Sequence, residues 1–222
     1  MALTVTEIQN RIASILDKSP SAPTEGGTDW NTRLKYMNMA QAEWEQLYDW
    51  QALYKEYGTQ TSTSTGNASV TMPVDFRKLA SYPIIGGYEH AEIRPQERGS
   101  KQTTDRYVYF MGNPMDGYTM VVNPGQLASG ASITVPYYMS AGSLASGSSA
   151  SMIPDPNYLV QRTIAFHWES SGDERFPQAK AESDKIMQRL LERESVHSEA
   201  ANDASRVRTT EESRLGFRLG RD

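Results

Sequence analysis

The sequence predicts an α+β protein in which helices from both ends of the chain form one core, with a β region inserted between them. Apolar residues recur at helical spacing near both ends, alternate with polar residues in the middle, and are separated by loops rich in proline and glycine. Helices that flank a run of strands are typical of the α+β class. The predicted segments are the first half of a helical domain at 1–57, an inserted antiparallel β sandwich or barrel-like region at 58–153, the second half of the helical domain at 154–197, and an extended C-terminal tail at 198–222.

Two helices are predicted in the first segment. Thr4 followed by Glu7 is a capping-box pattern, and a helical apolar face continues to about residue 18. A longer helix is predicted over 29–57 with Asp29 as its N-cap, and it contains three of the four tryptophans. One face of this helix is predicted to carry Trp30, Leu34, Met37, Gln41, Trp44, Tyr48 and Ala52. We interpret that face as the centre of the helical core.

The middle of the chain has the alternation of β-strands. Residues 107–111 and 118–122 are predicted strands of a hairpin, since the loop between them contains Asn-Pro and Asp-Gly turn signals. Three passages, 66–73, 130–136 and 147–154, each run from glycine through small and apolar residues to a proline. They predict three strands that each end at a residue unable to donate a backbone hydrogen bond.

The chain returns to helix after this region. Asp155 is the predicted cap, Pro156 the first helical residue and Gly172 the end of the third helix. A fourth helix is predicted from Pro177 to near His197. The remaining residues have no periodic apolar pattern, which predicts a tail without a core of its own.

Composition excludes several classes of function. The 222 residues include 22 basic and 27 acidic side chains, a net charge of −5, which argues against binding DNA by neutralising its phosphates. The absence of cysteine excludes disulfides, thiol catalysis and Cys-ligated metals. No apolar run approaches 18 residues and the N-terminus lacks the features of a signal peptide, so we expect a soluble protein without an export signal or a membrane partner.

No motif predicts an enzyme, a metal site or a cofactor. The three histidines, His90, His167 and His197, have no metal-ligand spacing, and the His-Ala-Glu sequence at 90–92 lacks the Cys-x-x-Cys partner of a deaminase. The glycine- and serine-rich stretch at 142–147 has the wrong register for a nucleophile elbow and is interpreted as a loop. Gly112 and Gly117 belong to the predicted hairpin turn rather than to a phosphate-binding loop.

Two weaker patterns in the β region remain. Glu92, Asp105 and Asp116 offer carboxylates for a glycosidase, but scattered surface acids explain them better. The region is also rich in tyrosine, which keeps a carbohydrate-binding module as an alternative of another class, although alternating tyrosines on strands are usually half-buried sheet pairs. These tyrosines are Tyr107, Tyr109, Tyr118, Tyr137 and Tyr138.

The order of these segments resembles a known family. Two helices are followed by a β region with Met-Pro-Val-Asp-Phe-Arg at 72–77, and Ile-Pro-Asp-Pro-Asn-Tyr-Leu-Val at 153–160 opens the closing helical pair. This arrangement, over roughly 4–197, resembles the head-to-tail adaptor (connector) proteins of tailed bacteriophages, including the branch that contains the podophage tail tubular gatekeepers.

The resemblance implies a structural virion protein without catalysis. It implies a homo-oligomeric ring, commonly of twelve copies, that is assembled in the host cytoplasm and lies at the head-tail interface. The ring would dock on the portal protein, contact a downstream tail or nozzle protein, and surround a channel through which DNA passes during genome ejection without sequence-specific binding. A gatekeeper whose loops close the channel is the alternative within the same family.

By analogy with the family, the tail is predicted to dock on the portal. Leucine and phenylalanine alternate with glycine and arginine near its end, which suits an added β-strand, and its arginines can pair with carboxylates on an acidic partner surface. The predicted partner-binding residues are Arg206, Arg208, Arg214, Leu215, Phe217, Arg218 and Leu219.

Overall fold

Helices and antiparallel sheets are both present in the computed structural model, which confirms the α+β class. The structure describes residues 3–60, 68–102, 104–123 and 130–195. The chain divides into two units. One unit combines the chain up to Tyr48 with the chain from Leu144 onward, and the other is Asp49–Ser143.

The described residues of the first unit form four helices. The helices are α1 (Val5–Leu16), α2 (Thr28–Leu47), α3 (Pro156–Ser171) and α4 (residues 176–195). The predicted capping box of α1 is confirmed, since the Thr4 hydroxyl accepts from the Glu7 N–H and the Glu7 carboxylate accepts from the Thr4 N–H. The predicted ends of α3 are also confirmed. Asp155 caps the N-terminus, and Gly172 ends the helix in the left-handed conformation, at φ +68°.

The predicted length of α2 is wrong at its C-terminal end. The helix ends at Leu47, Tyr48 is extended, a 3-10 turn follows at Gln51–Leu53, and Tyr54 begins a strand. The predicted N-cap is also wrong, because Gly27 occupies that position instead of Asp29. Asp29 lies in the first turn, where its negative charge interacts favourably with the positive end of the helix dipole. The apolar spacing beyond residue 47 fits a helix, but strand pairing with a distant segment outweighs this local preference.

The helices bury one apolar core. The fully or nearly fully buried side chains include Val5, Ile8, Ile12, Trp30, Met37, Trp44, Leu159, Ile164, Ile186 and Leu190. The buried residues of α4 recur at helical spacing and lie on one face: Ala179, Ser183, Ile186, Met187 and Leu190. Leu34 and Tyr48, which the sequence placed on the core, are half-buried, as is Phe166.

In the second unit, the described residues form nine strands in two sheets. The strands are β1 (Tyr54–Gln60), β2 (Ala68–Thr71), β3 (Phe76–Leu79), β4 (Ile84–Ile85), β5 (Tyr88–Glu89), β6 (Ala91–Glu92), β7 (Tyr107–Asn113), β8 (Gly117–Val122) and β9 (Ser132–Met139). The first sheet has the order β1-β9-β4-β5, with β3 also paired to β9, and the second has the order β2-β8-β7-β6. The predicted hairpin is confirmed as the antiparallel pair of β7 and β8.

Aromatic side chains join the two sheets. The Phe76 ring on β3 stacks on the Phe110 ring of β7, with centroids 5.1 Å apart, and meets the Tyr118 ring of β8 edge-on at 5.4 Å. Tyr137 on β9 lies on the same cluster, 5.7 Å from Phe76. The sheets therefore share an aromatic core, as the predicted sandwich-like region requires.

Two of the three proline-terminated passages are not strands that end at proline. Strand β9 continues through Pro136 and tolerates the N–H that proline lacks. The Pro136 carbonyl still accepts a hydrogen bond from the Ala80 N–H, at 3.0 Å. The passage at 147–154 forms a loop with one isolated bridge, between Thr4 and Ala150. Only the first passage matches, since β2 ends at Thr71, two residues before Pro73.

Candidate interaction surface

The predicted docking residues of the tail lie outside the described part of the chain. They are Arg206, Arg208, Arg214, Leu215, Phe217, Arg218 and Leu219.

A groove in the helical unit is lined by residues of α2, α3 and α4 and has a volume of about 370 Å³. The Arg162 guanidinium on α3 donates to both carboxylate oxygens of Glu43 on α2, from Nε at 2.7 Å and from Nη2 at 2.9 Å. Its Nη1 atom is 4.0 Å from the Asp184 carboxylate of α4, and its charge lies 4.7 Å from the Phe166 ring centroid. A bidentate pair of this kind fixes the geometry between two helices.

Tyr158 is buried and lines the same groove as this ion pair. Burial, followed by the negative charge of Glu43, raises the pKa of the Tyr158 hydroxyl well above its usual value, against the opposing effect of Arg162. The Tyr158 hydroxyl therefore stays protonated at physiological pH and cannot act as a general base. Since the guanidinium and the carboxylate already bind each other, the groove is suited to holding the helices together rather than to acid-base chemistry.

The serine- and glycine-rich loop holds the start of α1. The N–H groups of Val5 and Thr6 donate to the carbonyls of Ser149 and Gly147, at 2.8 and 3.1 Å, and so satisfy two of the free donors at the helix N-terminus. The Gly147 N–H donates to the Glu25 carboxylate at 2.7 Å. This arrangement explains the loop as a structural clasp, in agreement with its interpretation from the sequence.

The tip of the β7–β8 hairpin is an exposed apolar surface. The Asn113 side-chain oxygen accepts from the N–H groups of Met115 and Asp116, at 2.8 and 3.0 Å, and shapes the turn. Met115 is 95% exposed and Met111 is about half exposed. Exposed methionines adapt to varied apolar partners.

His90 is buried, which no pattern in the sequence predicts. Its Nδ1–H donates to the Tyr88 carbonyl at 2.9 Å, and its Nε2 atom has no partner among the described residues. Burial, with help from the positive charge of Arg106, lowers the pKa of His90 below its ordinary value, against the opposing effect of the Tyr88 carbonyl. No group of three His, Asp or Glu side chains in the described ranges is placed to hold a metal ion.

Stability should depend on the protonation of His90. Because the folded pKa lies below the unfolded value of 6.5, the contribution of neutral His90 is complete above about pH 6.5 and is lost as the pH falls through the folded pKa. Thermal melts between about pH 7.5 and about pH 5.5 should therefore show falling stability in the parent chain. His90→Gln, which cannot take up the proton, should show a smaller fall. An equal fall in both chains would contradict this assignment.

The acidic and tyrosine patterns have structural explanations. Asp105 accepts from the Gln102 N–H at 2.9 Å, and Asp116 accepts from the Asn113 side-chain amide at 2.7 Å, so each carboxylate serves its own turn. Tyr107, Tyr109 and Tyr137 are buried. Burial, followed by a hydrogen bond to Asp75, raises the pKa of Tyr137 to about 12. These rings are therefore part of the sheet core rather than a platform for sugars.

A family comparison gives the wider context. A model of the SU10 adaptor protein family matches residues 3–210. The chain belongs to this family. The match confirms the resemblance to phage head-to-tail adaptors that the order of segments predicted. It reaches into the tail as far as Arg206 and Arg208, whereas 214–219 lie beyond it.

Membership of the SU10 adaptor family gives this chain a structural role as a bacteriophage adaptor protein, a virion component of the head-tail interface. No curated protein matches the chain. No helix of the described ranges is long and apolar enough to span a membrane.

The sequence did not predict the first half of strand β1. The signal was present at residues 54–60, where Tyr-Lys-Glu-Tyr-Gly-Thr-Gln has aromatic and β-branched residues typical of strands. Residues 54–57 belong instead to the predicted helix over 29–57, because their tyrosines continue its helical spacing, whereas residues 58–60 lie in the predicted β region.

Proposed function

We propose that this SU10 family adaptor assembles into a ring of twelve copies that docks on the portal protein, contacts a downstream tail or nozzle protein, and lines the DNA channel. The observation that carries the proposal is the family match over residues 3–210. The charge of −5 supports the channel role, because an acidic protein does not grip the DNA phosphates as the genome moves past. Assembly would take place in the host cytoplasm before the tail is attached.

The proposal keeps the division of the chain into a helical domain, an inserted β region and a docking tail. The tail carries Arg206, Arg208, Arg214 and Arg218, whose guanidinium groups bind carboxylates in a bidentate manner that lysine cannot match. Such contacts would join residues 198–222 to acidic surface on the portal. Leu215, Phe217 and Leu219 alternate in the same segment and would add apolar contacts or strand pairing.

Deleting residues 198–222 tests the docking role. The truncated chain should keep nearly the same circular dichroism melt, since the helical core lies in 3–195, and should lose co-sedimentation with cognate portal rings. A control chain with the same 25 residues in scrambled order should also fail to bind. Electron microscopy of the parent chain mixed with portal should show twelve copies around each ring.

Two results would contradict this proposal. Full-strength portal binding by the truncated chain would show that the tail is not the docking element. A parent chain that binds no portal at any concentration, but binds glycans saturably, would favour the carbohydrate-binding alternative.

A further inference from the structure

The free edge of strand β1 is the feature that carries a further inference. β1 is the end strand of the first sheet and pairs only with β9 among the described residues, over the full register from Tyr54–Tyr138 to Gln60–Ser132. Within the described ranges the Tyr54 N–H also donates to the Gln51 carbonyl, and residues 55–60 form no further backbone hydrogen bond. Alternate N–H and C=O groups of an end strand point away from its neighbour, so β1 presents a row of free donors and acceptors.

Among the residues that the structure describes, none of the usual protections against pairing lies at this edge. Protein edges are commonly blocked by short strands, proline, bulges or unpaired lysines. The other end strands described are only two to four residues long, whereas β1 has seven residues and no proline. Its lysine, Lys55, is bound to the Asp75 carboxylate at 2.8 Å, and the space beside Gly58 is open. A strand of the right pattern therefore has access to β1.

The sequence outside the described ranges offers one such strand. Residues 61–67 are Thr, Ser, Gly and Asn, and 124–129 begin with Pro-Gly, so neither has apolar alternation. Residues 214–219, Arg-Leu-Gly-Phe-Arg-Leu, place arginine and glycine on one face of a strand and three apolar side chains on the other. About 19 residues separate 195 from 214, and they span roughly 60 to 70 Å when extended. The linking residues are therefore long enough for this segment to contact another subunit.

The two strands match face by face. On one face of β1 the Glu56 carboxylate is exposed and accepts from the Tyr54 hydroxyl at 2.8 Å, which suits arginine across the strands. On the other face Tyr57 and Thr59 are half-buried, which suits leucine and phenylalanine.

We propose that β1 is a strand-addition site and that its ligand is the segment 214–219 of a second copy of this chain. The inference rests on the proposed ring, in which neighbouring copies are close, and it divides the predicted tail between two partners. Arg206 and Arg208 stay available for the portal. The segment 214–219 links each subunit to the sheet of its neighbour, and strand addition supplies affinity through main-chain hydrogen bonds.

Cysteine cross-linking tests the pairing without a portal, because the natural chain has no cysteine. Full-length chains carrying Glu56→Cys or Tyr57→Cys are mixed under mild oxidation with synthetic peptides of residues 211–222 that carry Phe217→Cys or Arg218→Cys. Opposite faces of a strand alternate, so Glu56→Cys should couple to the Arg218→Cys peptide and Tyr57→Cys to the Phe217→Cys peptide, each at least fivefold above the crossed combinations.

A cysteine at Ser69, on the four-residue end strand β2, is the matched control and should couple to neither peptide. Adding Leu215→Pro to each peptide should abolish coupling, because proline removes a donor from the added strand. Equal yields for all combinations, or yields no higher than those of the Ser69→Cys control, would overturn the proposal. Full-length chains that carry both Tyr57→Cys and Phe217→Cys identify the source of the segment: cross-linked dimers on a non-reducing gel support a second copy, whereas a cross-link confined to the monomer would overturn that assignment.

The result separates this inference from the proposed function. If the peptides show no alternation while the parent chain still co-sediments with portal rings, the strand-addition site is wrong and portal docking stands. If the alternation is present but portal binding is absent, the pairing between copies stands and the portal role fails.

Discussion

Replacing Trp44 by alanine should lower the free energy of unfolding by about 3 to 5 kcal/mol. Trp44 is the last buried residue on the core face of α2 and has no exposed surface. Removing its indole leaves a large cavity in a core whose other side chains, including Met37 and Ala40 on α2 and Leu159 on α3, are themselves fully buried. Urea unfolding followed by far-ultraviolet circular dichroism measures the change.

Leu47→Ala is the matched control on the same helix. Leu47 is 54% exposed, so its truncation should cost no more than about 1 kcal/mol. If Trp44→Ala changed the stability by less than about 1 kcal/mol, α2 would not be the centre of the helical core.

Gly112→Ala should destabilise the strand unit by about 3 kcal/mol. Gly112 has φ +107°, and a Cβ atom built there would lie 2.1 Å from the backbone oxygen of Gly117 across the hairpin. The clash is between the new Cβ atom and a backbone oxygen, which cannot move aside as the end of a flexible side chain can. Strands β7 and β8 would therefore have to separate at the turn. The hairpin joins the second sheet to the aromatic cluster around Phe76, and this packing would be disturbed with it.

Gly117→Ala separates the steric effect from the conformational one. Gly117 also has a positive φ, of +85°, but a Cβ atom there meets nothing within 4 Å. This substitution should cost only about 1 to 2 kcal/mol, the strain of a left-handed conformation. Equal losses for the two variants, measured by urea unfolding, would show that the close approach of the strands at Gly112 does not control the hairpin.

Where a structural signal is local, the sequence predicted the fold correctly. The capping box at Thr4 and Glu7, the Asp155-Pro156 start of α3 and the Asn-Pro and Asp-Gly turn of the hairpin each act over a few residues. The α+β class and the adaptor family follow from the order of these segments. The predicted docking residues of the tail stay a prediction, because they lie outside the described residues.

The errors arise where distant segments compete with local preference. Residues 54–57 fit the helical spacing of α2, but they pair with residues 135–138, about 80 positions away, and this pairing replaces the end of the helix. Pro136 looked like a strand end, yet β9 continues through it because the strands on both sides hold it in the sheet.

The buried position of His90 is likewise invisible to the sequence. Its neighbours Glu89 and Ala91 are exposed, and only the approach of other segments, through the Pro83 carbonyl to the His90 N–H, encloses it. The sequence alone determined the N-caps of α1 and α3, the hairpin turn, the absence of cysteine chemistry and the class of the fold, because each of these depends on residues adjacent in the chain or on composition. The tertiary structure alone decided where α2 stops, which strand lies at the open edge of the first sheet and which polar groups are buried, because these depend on pairing and packing between residues far apart in sequence.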